Sequence, residues 1–137
     1  MRFDSLRDLT SLPVERLDSA FRREQVTAIL PVSEPGSGLA TVLVATPRKL
    51  GLATLRQLAG DDRWMTRWAP WDAVRLPDDC ADSGSRRRRL QPAVSIDGRS
   101  FRPVLGGQPG RVALSDFCRS VQRRRQALAR RELAKTA

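Results

Sequence analysis

The chain contains no histidine and no tyrosine, only two cysteines, and only two lysines, Lys49 and Lys135, in 137 residues. Without an imidazole, none of its Ser, Thr or Cys side chains has the base that nucleophilic catalysis normally uses. The acidic residues sit in turns and at expected helix starts, where capping accounts for them. Asp61 and Asp62 are adjacent, a spacing that points the two carboxylates apart. No phosphate loop of the Gly-x-x-x-x-Gly-Lys type is present, and Gly36-Ser37-Gly38 lacks the following helix that a dinucleotide fingerprint requires. Cys80 and Cys118 have neither the spacing of a metal site nor the number of a disulfide framework, and both read as ordinary thiols. The sequence therefore predicts no catalytic residue, no cofactor and no metal ligand, and a protein that is not an enzyme.

Long apolar runs are missing as well. The longest, from Leu39 to Ala45, is far short of the roughly 20 residues that span a bilayer. The stretch from Met1 to Asp8 carries both charge signs and no apolar segment of the signal-peptide kind. The expected location is the cytoplasm, with peripheral attachment to the inner face of the membrane as a refinement that the positive charge would permit.

With 40% hydrophobic residues, 29% charged residues, three Trp and four Phe, the composition is that of one globular domain. The formal charge of +10 is carried almost wholly by arginine. Such an excess attracts phosphate-rich partners, although GC-rich coding alone would also produce it.

Along the chain, residues 5–24 place Leu6, Leu9, Leu12, Val14, Leu17 and Phe21 at helical spacing, with Ser11 and Pro13 where a second helix can begin. One or two short helices are expected there. Val26 to Val32 alternates as a strand, and Glu34-Pro35-Gly36-Ser37-Gly38 breaks it. Leu39 to Thr46 is almost entirely apolar and reads as a strand covered on both faces or central in the sheet; Pro47-Arg48 turns it into a second strand from Lys49 to Leu55, although Leu52, Leu55 and Leu58 with Ala59 also fit a helical stripe ended by Gly60. Trp64, Thr66 and Trp68 share one face of a further strand, which Pro70 bends toward another at Ala73 to Leu76. The three Trp could stack on bases, but filling a small barrel core is the simpler use of large aromatics on strand spacing. Pro77 to Ser85 is a polar loop that exits through Arg86-Arg87-Arg88-Arg89.

Asp97-Gly98 is the strongest local signal, because a two-residue type I′ turn needs positive φ at both central positions. It closes a hairpin at Ile96 and Arg99 and sets Val94 opposite Phe101. Pro92 would then face Pro103, so regular pairing should stop by Ala93 and Arg102. Ser115 is the expected N-cap of a terminal helix, with Asp116 against its dipole. Phe117 and Val121 would bury together, and Arg124 and Arg125 continue the same stripe, so the helix should leave the core there.

The order of these segments resembles that of the bacterial pleckstrin-homology-like domains. The resemblance rests on Val42-Leu43-Val44-Ala45-Thr46-Pro47-Arg48-Lys49-Leu50, on Ala69-Pro70-Trp71-Asp72-Ala73-Val74, and on Phe117-Cys118-Arg119-Ser120-Val121 as the capping helix, and it covers about Val26 to Val121. It implies a bent sheet or barrel of about seven antiparallel strands capped by a C-terminal α-helix. With the N-terminal helical spacing and the basic tail, the expected fold is mainly β (α+β) with a short N-terminal helix, organised as a helical segment over 1–24, the β domain with its capping helix (starting near 115) over 25–122, and a basic helical tail over 123–137. The resemblance also implies a binding role, as a lipid-head-group, peptide or protein docking module. Ser33-Glu34-Pro35-Gly36-Ser37-Gly38 stands where phosphoinositide-binding members carry basic residues, which argues against that ligand at that loop.

The candidate contact residues for an anion or a partner are Arg86, Arg87, Arg88 and Arg89 in the loop, and Arg123, Arg124, Arg125, Arg130 and Arg131 on the tail. Both groups suit bidentate phosphate contacts; both also suit a plainly solvated surface. Leu128 and Leu133 are too few to form the apolar face of a membrane-lying helix. The sequence thus points to a non-catalytic binding or adaptor module that docks a protein partner, with an anionic membrane surface second, and with nucleic-acid binding through the Arg-rich loop and tail as the competing reading.

Overall fold

The computed structural model describes residues 3–10, 12–58, 61–76 and 94–136. Their order is α1 (Phe3–Thr10), α2 (Glu15–Ala20), β1 (Ala28–Ser33), β2 (Thr41–Ala45), β3 (Leu50–Leu58), β4 (Asp61–Ala69), a single 3-10 turn (Trp71–Ala73), β5 (Val74–Arg75), β6 (Val94–Ile96), β7 (Arg99–Pro103) and α3 (Gly107–Thr136). The strands form one seven-stranded sheet in the order β4-β3-β2-β1-β7-β6-β5. Every pairing is antiparallel. The fold class expected from the sequence is therefore present, as a sheet that does not close on itself.

The sheet is covered on both faces, and the alternation along its strands shows why. On one face Ala28, Leu30, Val32, Leu43, Ala45, Leu50, Trp71, Val94 and Phe101 pack under Ala113, Phe117 and Val121 of α3. On the other, Ile29, Val42, Val44 and Ala53 pack under Leu6 of α1, Leu17 of α2 and Phe21. Strands β1 and β2 are buried on both sides, which is what a continuous apolar run in a central strand signals. Trp64 Nε1 donates to the Pro13 carbonyl at 2.8 Å, pinning the link between α1 and α2 onto β4.

Pro31 lies in central β1, where a proline normally removes a ladder bond. Its carbonyl accepts from Val104 N–H at 3.2 Å, just past the two described rungs of the β1–β7 ladder, Val32↔Pro103 and Ser33↔Arg102. The missing donor thus falls where that ladder runs out.

The 97–98 hairpin has the expected register: Val94↔Phe101, Ser95↔Ser100 and Ile96↔Arg99. Asp97 (φ 51°) and Gly98 (φ 78°) both take the positive φ the turn demands. The strand expected after the Pro47-Arg48 turn is likewise observed, paired to β2 from Leu50 onward.

Three expectations need correction. The terminal helix begins at Gly107, not near 115, so Ser115 and Asp116 lie inside it and cap nothing. Gly106-Gly107-Gln108-Pro109-Gly110 reads as a breaker, yet a proline in the first turn has no hydrogen bond to lose. Gly110 is needed there because a Cβ would stand 2.0 Å from the Leu105 carbonyl oxygen. Second, Trp71 alone of the three Trp is in the core. Trp64 and Trp68 lie on the opposite face, because the N-terminal helices give that face an apolar layer of its own to pack against. Third, Cys118 is buried and disulfide-bonded and is not the ordinary thiol expected from spacing alone. Cys80, like the remainder of the 77–93 stretch, lies outside the described residues.

Candidate functional site

The two edges of the sheet differ in kind. At one end β5 has two residues. There Arg125 Nη1 from α3 reaches the Val74 carbonyl at 3.5 Å. At the other end β4 has nine residues. Among the described residues it is paired to β3 alone.

The direction of each backbone group on β4 follows from the ladder beside it. Thr46 N–H donates to Lys49 O at 3.2 Å and Leu55 N–H to Ala40 O at 2.8 Å, so the odd-numbered residues of β3 bond to β2. The even-numbered residues of β3 therefore bond to β4, in the rungs Leu50↔Ala69, Leu52↔Arg67, Thr54↔Met65 and Arg56↔Arg63. Asp62, Trp64, Thr66 and Trp68 are left with their N–H and C=O groups directed away from the sheet.

The side chains divide by the same alternation. On the face shared with α3, Arg63, Met65 and Arg67 are exposed, Met65 to 52%. Arg56 and Arg63 are directly opposed across β3 and β4, both exposed. On the other face Thr66 is exposed and Trp68 is 38% exposed. The Trp68 ring meets Phe21 edge-on at 5.4 Å, and Lys49 Nζ stands 4.1 Å from its centroid. One face of the indole is thereby fixed while its rim remains exposed.

A second feature is the far half of α3. Gly110, Ala113, Phe117 and Val121 are buried in a regular stripe. The next positions on it are Arg124, Arg125 and Leu128, so the core-facing stripe turns basic as the helix leaves the sheet. At 30 residues the helix is about 45 Å long. Of the sequence-derived candidates, Arg123, Arg125, Arg130 and Arg131 are exposed on this half and Arg124 is partly covered. Arg86, Arg87, Arg88 and Arg89 lie outside the described residues.

The loop from β1 to β2 is held by a bidentate pair: Arg99 Nε donates to Glu34 Oε2 at 2.6 Å and Nη2 to Oε1 at 2.9 Å. The hydrogen bonds from Arg99 hold the Glu34 carboxyl below its ordinary range and raise the guanidinium in turn. Nearby, a groove of about 330 Å³ runs between Thr10, Leu12, Leu39 and Val104, and none of its described lining residues carries a charge. Among the described residues no group of His, Cys, Asp and Glu is arranged to hold a metal ion, and no helix is long and apolar enough to cross a membrane.

Sequence reading missed the β4 edge. The Trp64-Thr66-Trp68 alternation identifies a strand, but whether a strand has one neighbour or two depends on pairings made elsewhere in the chain. Comparison with known proteins adds no assignment: no family model, no curated protein and no solved structure matches this chain.

Proposed function

We propose that the protein is a non-catalytic docking module of pleckstrin-homology-like architecture, and that it receives an extended segment of a protein partner as an eighth strand along β4. The observation that carries this reading is the nine-residue strand β4, paired among the described residues to β3 alone, with the outward N–H and C=O groups of Trp64, Thr66 and Trp68. Long unpaired edges invite strand addition, and folded proteins usually shorten, cover or bend them. Here the opposite edge is short and touched by Arg125, and among the described residues β4 has neither protection.

Amide hydrogen exchange tests the edge directly. In the free protein the Trp64, Thr66 and Trp68 amides should exchange much faster than those of Arg63, Met65 and Arg67, which donate into β3. Uniform protection along β4 would refute the open edge.

A second reading is polyanion binding, favoured by the exposed arginines 123, 125, 130 and 131 on the projecting half of α3. It predicts flotation with anionic vesicles, or retention on duplex DNA, that falls steeply with salt. Binding to vesicles in the presence of DNA competitor would favour peripheral membrane attachment; salt-independent behaviour would remove the reading altogether.

A further inference from the structure

We infer that the projecting half of α3 docks in the major groove of duplex DNA, with two rows of arginine meeting the phosphates along the groove's walls. This deepens the polyanion reading, rests on it, and is independent of the β4 edge.

The rows follow from helix periodicity. Arg119, Arg123 and Arg130 recur at i, i+4 and i+11, so they share one side of the helix over about 16 Å. Arg124 and Arg131 form a second row, about 100° round the axis from the first. Of these residues Arg124 is partly covered and the others are exposed. Arg125 already reaches the Val74 carbonyl and belongs to neither row. The acidic residues of α3 do not interrupt the rows. Asp116 is partly buried in the packed turns before they begin, and Glu132 falls on the side opposite Arg123 and Arg130.

Exposure decides what shape of partner fits. From Gln126 to Ala134 every position is exposed, so about two and a half turns stand clear on all sides. An α-helix with its side chains is about 10 to 12 Å across, and the major groove of B-form DNA, about 12 Å wide with phosphates along both walls, admits one. Rows about 100° apart then reach both walls together. A bilayer surface is flat and engages one side of a helix. Leu128 and Leu133, five residues apart, point in different directions and supply no apolar face to lie on it. The same geometry disfavours duplex RNA, whose major groove is too narrow to enter.

The test measures binding of the full chain to a short labelled DNA duplex by fluorescence anisotropy across a salt series. Further probes are duplex RNA of the same sequence and a DNA duplex whose major groove is filled by glucosylated hydroxymethylcytosine; phosphatidylserine vesicles and polyglutamate serve as competitors. Plain DNA should bind about tenfold or more tightly than the other two duplexes, and neither competitor should displace it at equal charge. The triple variant Arg123→Ala, Arg130→Ala, Arg131→Ala should lower the slope of log affinity against log salt by about 2 to 3. Truncation after Gln126 should lower it similarly. A control that loses equal charge at exposed positions elsewhere, Arg22→Ala, Arg48→Ala, Arg102→Ala, should keep the wild-type slope.

Binding to no polyanion would overturn the polyanion reading and this inference together. Duplex binding that weakens equally in the two triple variants would leave general polyanion attraction standing and overturn α3 as its site. Equal binding of plain and glucosylated DNA, or of DNA and RNA, would overturn the major groove. Displacement of DNA by vesicles or by polyglutamate at equal charge would make the partner a membrane or an acidic protein and overturn the inference.

Discussion

Phe117, Gly51 and Glu34 show how differently single residues hold this molecule together. Phe117 is fully buried where α3 meets the sheet, so Phe117→Ala removes a ring from a site that cannot refill, and should cost about 3 to 5 kcal/mol in urea unfolding. Gly51 lies beneath the aromatic cluster: a Cβ there would stand 2.8 Å from the Phe21 ring and 3.2 Å from Trp68. Gly51→Ala should destabilise by about 1 to 3 kcal/mol and shift Trp68 fluorescence, because overpacking displaces the ring that fixes the indole. Glu34 acts through its hydrogen bonds and opposite charge with Arg99. Its folded-state carboxyl titrates below the ordinary value of about 4.5, so the Arg99 pair contributes stability above that pH and loses it as pH falls through the lower folded value. Glu34→Gln should flatten the acid limb of the melting-temperature profile; because the group is exposed the change should be small, and an unaltered profile would show that the bond is absent in solution.

At the scale of elements, α3 depends on its first turns more than on its length. In an exposed helix Gly→Ala raises helix stability by about 0.5 to 1 kcal/mol. At Gly110 the sign should reverse, since the added methyl would collide with the Leu105 backbone and push the helix start off β7. Thermal melts of Gly110→Ala followed by circular dichroism would show whether the clash or the propensity wins. The Asp97-Gly98 hairpin was fully legible in the sequence because its register is set by two turn residues and the strands beside them. The start of α3 was not legible. Two glycines and a proline look like a break unless the close approach to Leu105 is known, and that approach exists only after folding.

For the whole molecule, the two covering layers should behave differently when removed. Truncation after Gln126 deletes helix beyond the last buried turn and should leave cooperative unfolding nearly intact, whereas deletion of residues 1–24 uncovers Ile29, Val42, Val44 and Ala53 together. The second variant should aggregate or lose its transition, measurable by light scattering and melting. Chain order and hydrophobic alternation alone determined the number and sequence of strands, the tight hairpin, the point where the basic stripe leaves the core, and the lack of histidine-dependent chemistry, because each depends on near neighbours or on composition. Tertiary structure decided which face the three Trp occupy, that Cys118 is disulfide-bonded, and that β4 is an outer strand of the sheet among the described residues. Those features depend on contacts between segments far apart in the chain, such as β1 with β7 and α1 with the outer face, whose burial energy has no signature in any local stretch of residues.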